Sequence, residues 1–159
     1  LFLNCLPIAS FKMNLEFDVL TFYANDKERW NKGRIIQELN DDKYDQIFCT
    51  LSKNKKECFY LIALISKHLS LNGQVVISAS NDLGGKNLSK WMNDYGFEGE
   101  DFSKKKCRIF VGNLVNPNLK LIEKSLEEGS VKDVSLGERV YKTQAGIFGG
   151  YLNFLNCSL

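Results

Sequence analysis

Three lysines crowd one short stretch of this chain. The run Ser52-Lys53-Asn54-Lys55-Lys56-Glu57 follows a strand-like apolar segment and precedes a helix-like one. Cations are disfavoured at a helix N-terminus, where the macrodipole turns its positive end. The carboxyl ends of parallel strands are also where open α/β sheets hold their ligands, so a local rule broken there hints at function. The chemistry that such lysines supply is phosphate contact, which positions a partner without reading its sequence. The plainer alternative is a solvated lysine-rich loop. A second polar loop, Ser80-Asn81-Asp82-Leu83-Gly84-Gly85-Lys86, would lie on the same sheet edge and extend a shallow basic rim. A third basic run, Lys104-Lys105-Lys106, precedes a strand and reads either as edge-protecting charge or as another phosphate contact.

Other chemistries find little here. A nucleotide-like cofactor on an α/β sheet needs a glycine-rich turn after the first strand and an acid after the second. The first strand-like run ends in Leu6-Pro7-Ile8-Ala9-Ser10, without glycine. Asp26 follows the second, but aspartate is also a common helix cap. Gly84-Gly85 lacks a third glycine and a phosphate-binding lysine at P-loop spacing, so it reads as a tight turn into a helix. His68 falls late in a helix with no serine or cysteine in a strained turn nearby, which suits a residue at the negative end of the dipole. The acid pairs Asp41-Asp42, Glu127-Glu128 and Glu98 with Glu100-Asp101 fall in polar turns and helix ends, where solvated charge is the default. Catalytic, cofactor-binding and metal-ligating residues are therefore none.

The elements that would position the basic loops alternate. An apolar run over residues 1–8 is closed by Pro7, and residues 17–23 read as a strand. Asn25-Asp26 starts a helix that places Trp30, Ile35, Ile36 and Leu39 on one face. Residues 44–51, YDQIFCTL, form a strand apolar enough to be buried on both faces. Residues 55–69 follow as a helix ended by Asn72-Gly73, then residues 74–79, QVVISA, as a strand. Gly84-Gly85 opens a helix through Leu88, Trp91, Met92 and Tyr95, stopped by Gly96. Residues 106–114 alternate as a strand, residues 118–128 form a short helix broken by Gly129, and 131–135 with 139–143 suggest a hairpin. Such alternation predicts an α/β fold, with right-handed crossovers over a mostly parallel sheet and helices on both faces.

Composition agrees with one domain. The chain has 159 residues, 44% of them hydrophobic, enough for a real core. Lys plus Arg is 21 against 19 Asp plus Glu, a net charge of +2, so nucleic-acid binding by bulk charge is not demanded. Five cysteines, an odd number without C-x-x-C, and a single histidine give no zinc pattern. Cys5, Cys49 and Cys107 read as small core hydrophobes and Cys157 as an exposed thiol. No apolar run approaches a membrane span, and the start lacks the marks of a signal peptide. The expected compartment is reducing and cytoplasmic.

Several motifs, in order, carry a family resemblance. Residues 44–92 resemble part of a two-domain bacterial methyltransferase that modifies the exocyclic amine of a guanine in small-subunit ribosomal RNA. Lys53, Asn54 and Lys55 match its lysine-rich turn, with Ser52 where that turn has proline. Asn81 and Gly84 match its Gly-x-Asn turn and helix start, with Ala79 for the glycine. KKKCRIFVGNL resembles a later basic-then-apolar strand. VYKTQAGIFGG resembles the junction K-T-x-P-G-V-F-S, with Ala145 for proline and Gly149 for serine.

The resemblance covers roughly residues 44–150, and it implies the following. Residues 1–144 would be a Rossmann-like, methyltransferase-type domain with a degenerate cofactor site. Residues 145–159 would be a junction or tail leading toward a catalytic domain. S-adenosylmethionine and the N-P-P-[FY] motif belong to that second domain, and this sequence contains neither the motif nor the cofactor turn. The chain alone is then inactive, and its partner is a catalytic methyltransferase domain in the same or a separate chain. Its RNA-contacting residues would be Lys53, Asn54, Lys55, Asn81, Lys86 and Lys105. Two alternatives stay open. One is a small methyltransferase with a divergent cofactor site. The other is a self-associating interaction domain, a homodimer seated on Ile147-Phe148 and residues 151–155.

Overall fold

A computed structural model describes residues 1–7, 16–22, 27–136 and 139–144. Its strands are β1 (Phe2–Leu3), β2 (Asp18–Leu20), β3 (Arg34–Ile35), β4 (Tyr44–Thr50), β5 (Leu69–Ser80), β6 (Phe97–Lys104), β7 (Cys107–Leu114), β8 (Lys132–Leu136) and β9 (Arg139–Thr143). The helices are α1 (Lys55–His68), α2 (Leu88–Tyr95) and α3 (Leu119–Gly129). The first seven strands form one sheet in the order β3-β2-β1-β4-β5-β7-β6, and β8 pairs with β9 apart from it. Strands β1 to β5 are mutually parallel, whereas β7 runs antiparallel between β5 and β6. This is the expected α/β class with a mostly parallel sheet.

One sheet face builds the core. Ile47 and Cys49 of β4, Val75, Ile77 and Ala79 of β5 and Phe110 of β7 are each at most 2% exposed. Cys58, Leu61, Ile62 and Ile65 of α1 and Leu88 and Met92 of α2 complete it, each 0% exposed. α1 packs along α3, and α2 touches both helices. Tyr95 of α2 donates or accepts a buried 2.6 Å hydrogen bond with Ser125 of α3, which satisfies both hydroxyls inside the helix layer. The opposite face is apolar around β1, where Phe2 stacks on Phe48 at 5.0 Å and meets Phe17 and Trp30. Toward β6 it opens, with Ile109 36% and Phe102 49% exposed. The connection between β1 and β2 lies mostly outside the described residues.

Several sequence expectations change. Ile35 lies on a strand, not on a helix face. Gly33 at φ +85° breaks the chain just before it, and Arg34 clamps Asp18 of β2 through two 2.7 Å bonds. The Arg34 hydrogen bond, helped by Tyr44, holds the Asp18 carboxyl below its usual range. Strand β4 buries only one face: Gln46 and Thr50 are exposed. α1 passes straight into β5 at Leu69, and Asn72, at φ +67°, makes an irregularity inside that strand instead of ending the helix. β6 is a strand where the sequence pattern suggests only a polar turn. Among the cysteines, Cys49 is buried as expected, Cys5 and Cys107 are half-buried, and Cys58 is a further core thiol. The hairpin tip at 137–138, Asp26, Cys157 and the stretch 145–159 lie outside the described residues.

His68 ends α1 and is buried, 2% exposed, with Nδ1 3.0 Å from the Asp42 carbonyl oxygen. A carbonyl only accepts, so Nδ1 carries the hydrogen. Burial lowers the His68 pKa more than the Asp42 carbonyl raises it. An unfolded histidine titrates near ~6.5. As pH falls through that value, the unfolded chain takes up a proton that the native state resists, so stability declines toward acid. Urea midpoints are expected to drop between about pH 8 and about pH 5.5. The drop should shrink in His68→Gln, and an unchanged drop in that variant would assign the effect to other groups.

Candidate nucleic-acid interface and a filled switch point

The sheet order reverses between β1 and β4, so the crevice at their carboxyl ends is the topological switch point, the usual ligand position in open α/β sheets. Side chains of this chain meet there. Asn4 follows β1 at φ +55°, a conformation that asparagine tolerates better than most residues. Its Nδ2 donates to Glu57 Oε1 at 3.0 Å, and its Oδ1 accepts from Thr21 Oγ1 at 3.4 Å and from the Phe22 amide at 3.2 Å. Ser52 Oγ, just past β4, donates to Glu57 Oε2 at 2.7 Å. Asn4, Thr21 and Glu57 are 9%, 2% and 1% exposed. A cofactor approaching the backbone there would have to displace this hydrogen-bonded group. Among the described residues, this hydrogen-bonded group occupies the space at the ends of β1 and β4.

Next to the switch point, the carboxyl ends of β4 and β5 frame an open cleft of ≈ 680 Å³. Lys53, Lys55, Asp82, Gly84, Asn87, Lys90 and Trp91 line it. Asn54 caps α1, its Oδ1 accepting from the Lys56 and Glu57 amides at 2.9 and 3.2 Å. That cap fixes where Lys53 and Lys55 leave the chain. Lys55 Nζ lies 5.4 Å from the Phe59 ring centroid, a cation–π distance. Phe59 in turn meets Trp91 edge-on, with centroids 5.4 Å apart. Gly84 has φ +93°, and a Cβ on it would stand 2.7 Å from Trp91 Cη2. Only glycine lets the loop pass so close to the indole. Ser89 bonds Asp101, which also accepts two bonds from Arg108, so α2 is tied to β6 and β7.

Of the residues that the sequence singles out, Lys53 and Lys55 share this cleft. Asn54 stands beside them with its carbonyl oxygen engaged in the cap. Asn81 donates its amide to the Lys106 carbonyl at 2.8 Å, which links the loop after β5 to the β6–β7 turn. Lys105 sits in that turn at φ +56°, on the same sheet edge because Cys107 pairs with Ser80. Lys86 is exposed on the short turn before α2 and does not line the cleft. Sequence reasoning misses Asp82, Asn87, Lys90 and Trp91 as site residues. Trp91 reads there as part of the apolar face of a helix, and Lys90 is not singled out. Among the described residues, no cluster of His, Cys, Asp and Glu could hold a metal ion.

The family profile described as Methyltransferase small domain N-terminal matches residues 11–126. The chain belongs to this family. The match takes in part of the first forty residues, which the sequence motifs did not reach. A curated relative, ribosomal RNA small subunit methyltransferase C of Vibrio parahaemolyticus, is 29% identical over 72 residues, 45% of this chain and 21% of that protein. Among solved structures, the T. thermophilus 16S rRNA N2 G1207 methyltransferase, bound to AdoMet and guanosine, superposes with a TM-score of 0.62 at 10% identity. The superposition covers 82% of this chain and 37% of that one. Ribosomal protein L11 methylase of Lactobacillus delbrueckii subsp. bulgaricus gives 0.52 at 12% identity, over 62% of this chain and 57% of that one. The sheet of this chain is therefore of the kind found in methyltransferases, and the chain spans 21%, 37% and 57% of the length of these three relatives.

Proposed function

We propose that this chain is the non-catalytic, accessory half of an S-adenosylmethionine-dependent ribosomal RNA guanine-N2 methyltransferase. It supports the catalytic half, which alone carries the cofactor, and it holds ribosomal RNA by phosphate contacts in the cytoplasm. The observation that carries this reading is the switch point filled by Asn4, Thr21, Ser52 and Glu57 beside a cleft walled by lysines. A methyltransferase-type sheet whose cofactor position is taken by its own side chains has lost the transfer chemistry. Its strand ends remain free for another ligand. The filled switch point also counts against a divergent small methyltransferase. The family and its rRNA-modifying relatives supply the RNA.

RNA binding by the chain should weaken steeply with salt. Lys53→Ala/Lys55→Ala should lower affinity and reduce the slope of log K against log salt by about 2, roughly one unit for each phosphate no longer neutralised. An unchanged slope would remove these lysines from the interface. Calorimetric binding of S-adenosylmethionine at micromolar concentration would overturn the non-catalytic reading.

A further inference from the structure

We propose that the cleft between the carboxyl ends of β4 and β5 seats one unpaired nucleotide of an RNA strand. Its phosphates rest on Lys53, Lys55 and Lys90, and its base lies against Trp91. This deepens the RNA-positioning reading above and rests on it. Three lysines reach the cleft from three places: the loop after β4, the first turn of α1, and α2. Among the described residues none of the three makes an ion pair. Three cations against the single acid Asp82 leave the cleft with a net positive charge that suits an anionic ligand. The flanking wall is aromatic. Trp91 packs edge-on against Phe59 and its ring edge lies beside Gly84, so both the protein's aromatic wall and its loop position the indole.

Cations beside a braced indole are the elements that bind single strands, the backbone on charge and a base on the ring. Asp82 adds an acceptor on the same wall, and every RNA base carries an N–H donor for it. At ≈ 680 Å³ the cleft is of the size that takes a small organic ligand. A duplex hides its base faces and cannot present one to Trp91.

The test uses the full chain with a short oligouridylate, the same strand paired into a duplex, and polyglutamate as a non-nucleotide anion. Trp30 and Trp91 are the two tryptophans, so emission quenching is assigned by comparison with Trp91→Leu. The single strand is expected to bind more tightly than the duplex and to quench emission. Trp91→Leu should lose the quench and weaken strand binding by roughly five- to a hundred-fold. Thermal melting checks that this variant folds. Should it not fold, Trp91→Phe, which keeps a stacking ring, and Lys90→Gln take its place, the first retaining most affinity and the second losing it. Equal binding of strand and duplex without quenching, still weakened by Lys53→Ala/Lys55→Ala, would overturn the nucleotide seat and leave RNA positioning intact. Polyglutamate binding as tightly as the strand would also overturn the seat, as a general anion site. No RNA binding even at low salt would sink both readings.

Discussion

Replacing Gly96 with alanine should lower the stability of this domain by about 3 kcal/mol, a large share of the roughly 5–15 kcal/mol that holds a domain folded. Gly96 ends α2 in the left-handed region at φ +94°. A Cβ there would stand 1.8 Å from the Asn116 carbonyl oxygen and 2.4 Å from its carbon, which is backbone and cannot swing aside. The Gly96 carbonyl itself accepts from the Val115 and Asn116 amides at 3.0 Å each. Asn118, whose Oδ1 caps α3, donates its own amide to Tyr95 and its Nδ2 to Asp94. One tight crossing thus joins the end of α2, the start of β6 and the start of α3. Urea denaturation of Gly96→Ala beside Gly73→Ala is the check. A Cβ on Gly73 would stand 2.9 Å from the Leu69 side chain and 3.0 Å from the Ser70 carbonyl oxygen, a milder clash than at Gly96. Equal losses in the two variants would mean that the crossing relaxes cheaply.

The second large effect concerns Glu57. Its two carboxylate oxygens are the acceptors for Asn4 Nδ2 and Ser52 Oγ. Glu57→Ala leaves the buried Asn4 amide and the half-buried Ser52 hydroxyl without their partner and opens space between them, a loss of about 2–3 kcal/mol. Glu57→Gln should cost less, because the amide oxygen still accepts from Asn4 and its nitrogen faces a serine oxygen that can accept. A midpoint that falls equally for both variants would mean that charge, not the hydrogen-bond count, holds the site. Losses below measurement in both would mean that the switch point is not held together by Glu57 at all.

How far the sequence discloses this architecture depends on what each segment buries. β5 is plain because Val75 and Ile77 alternate into the core with Val76 between them on the half-covered face. α2 is plain because Leu88, Met92 and Tyr95 fall on one side and Gly96 stops it. β6 is hidden. Among the described residues it is an edge strand paired only with β7, and Glu98, Gly99 and Glu100 are exposed, so its pattern is that of a solvated loop. β3 is hidden for a different reason: it is two residues long and takes its conformation from Gly33 and from pairing with β2, neither of which a helical spacing of apolar residues reports. The lysine run shows itself by standing against the helix dipole. Trp91 does not, because a tryptophan at helical spacing reads as core, and part of its surface is core. Glu57 is the deepest concealment. An acid in the first turn of a helix is ordinary, and its partner Asn4 lies 53 residues away in sequence.

The filled switch point has a consequence in mass action. A domain that must bind a cofactor to complete its fold gains stability with the logarithm of ligand concentration, and loses it when the ligand is scarce. Here Asn4, Thr21, Ser52 and Glu57 stand in that position permanently, tethered to their own strands and helix, at a local concentration that no change in supply alters. The fold is in this sense its own saturating ligand. Joined, as proposed, to a half whose occupancy rises and falls with cofactor, it would remain the constant member of the pair.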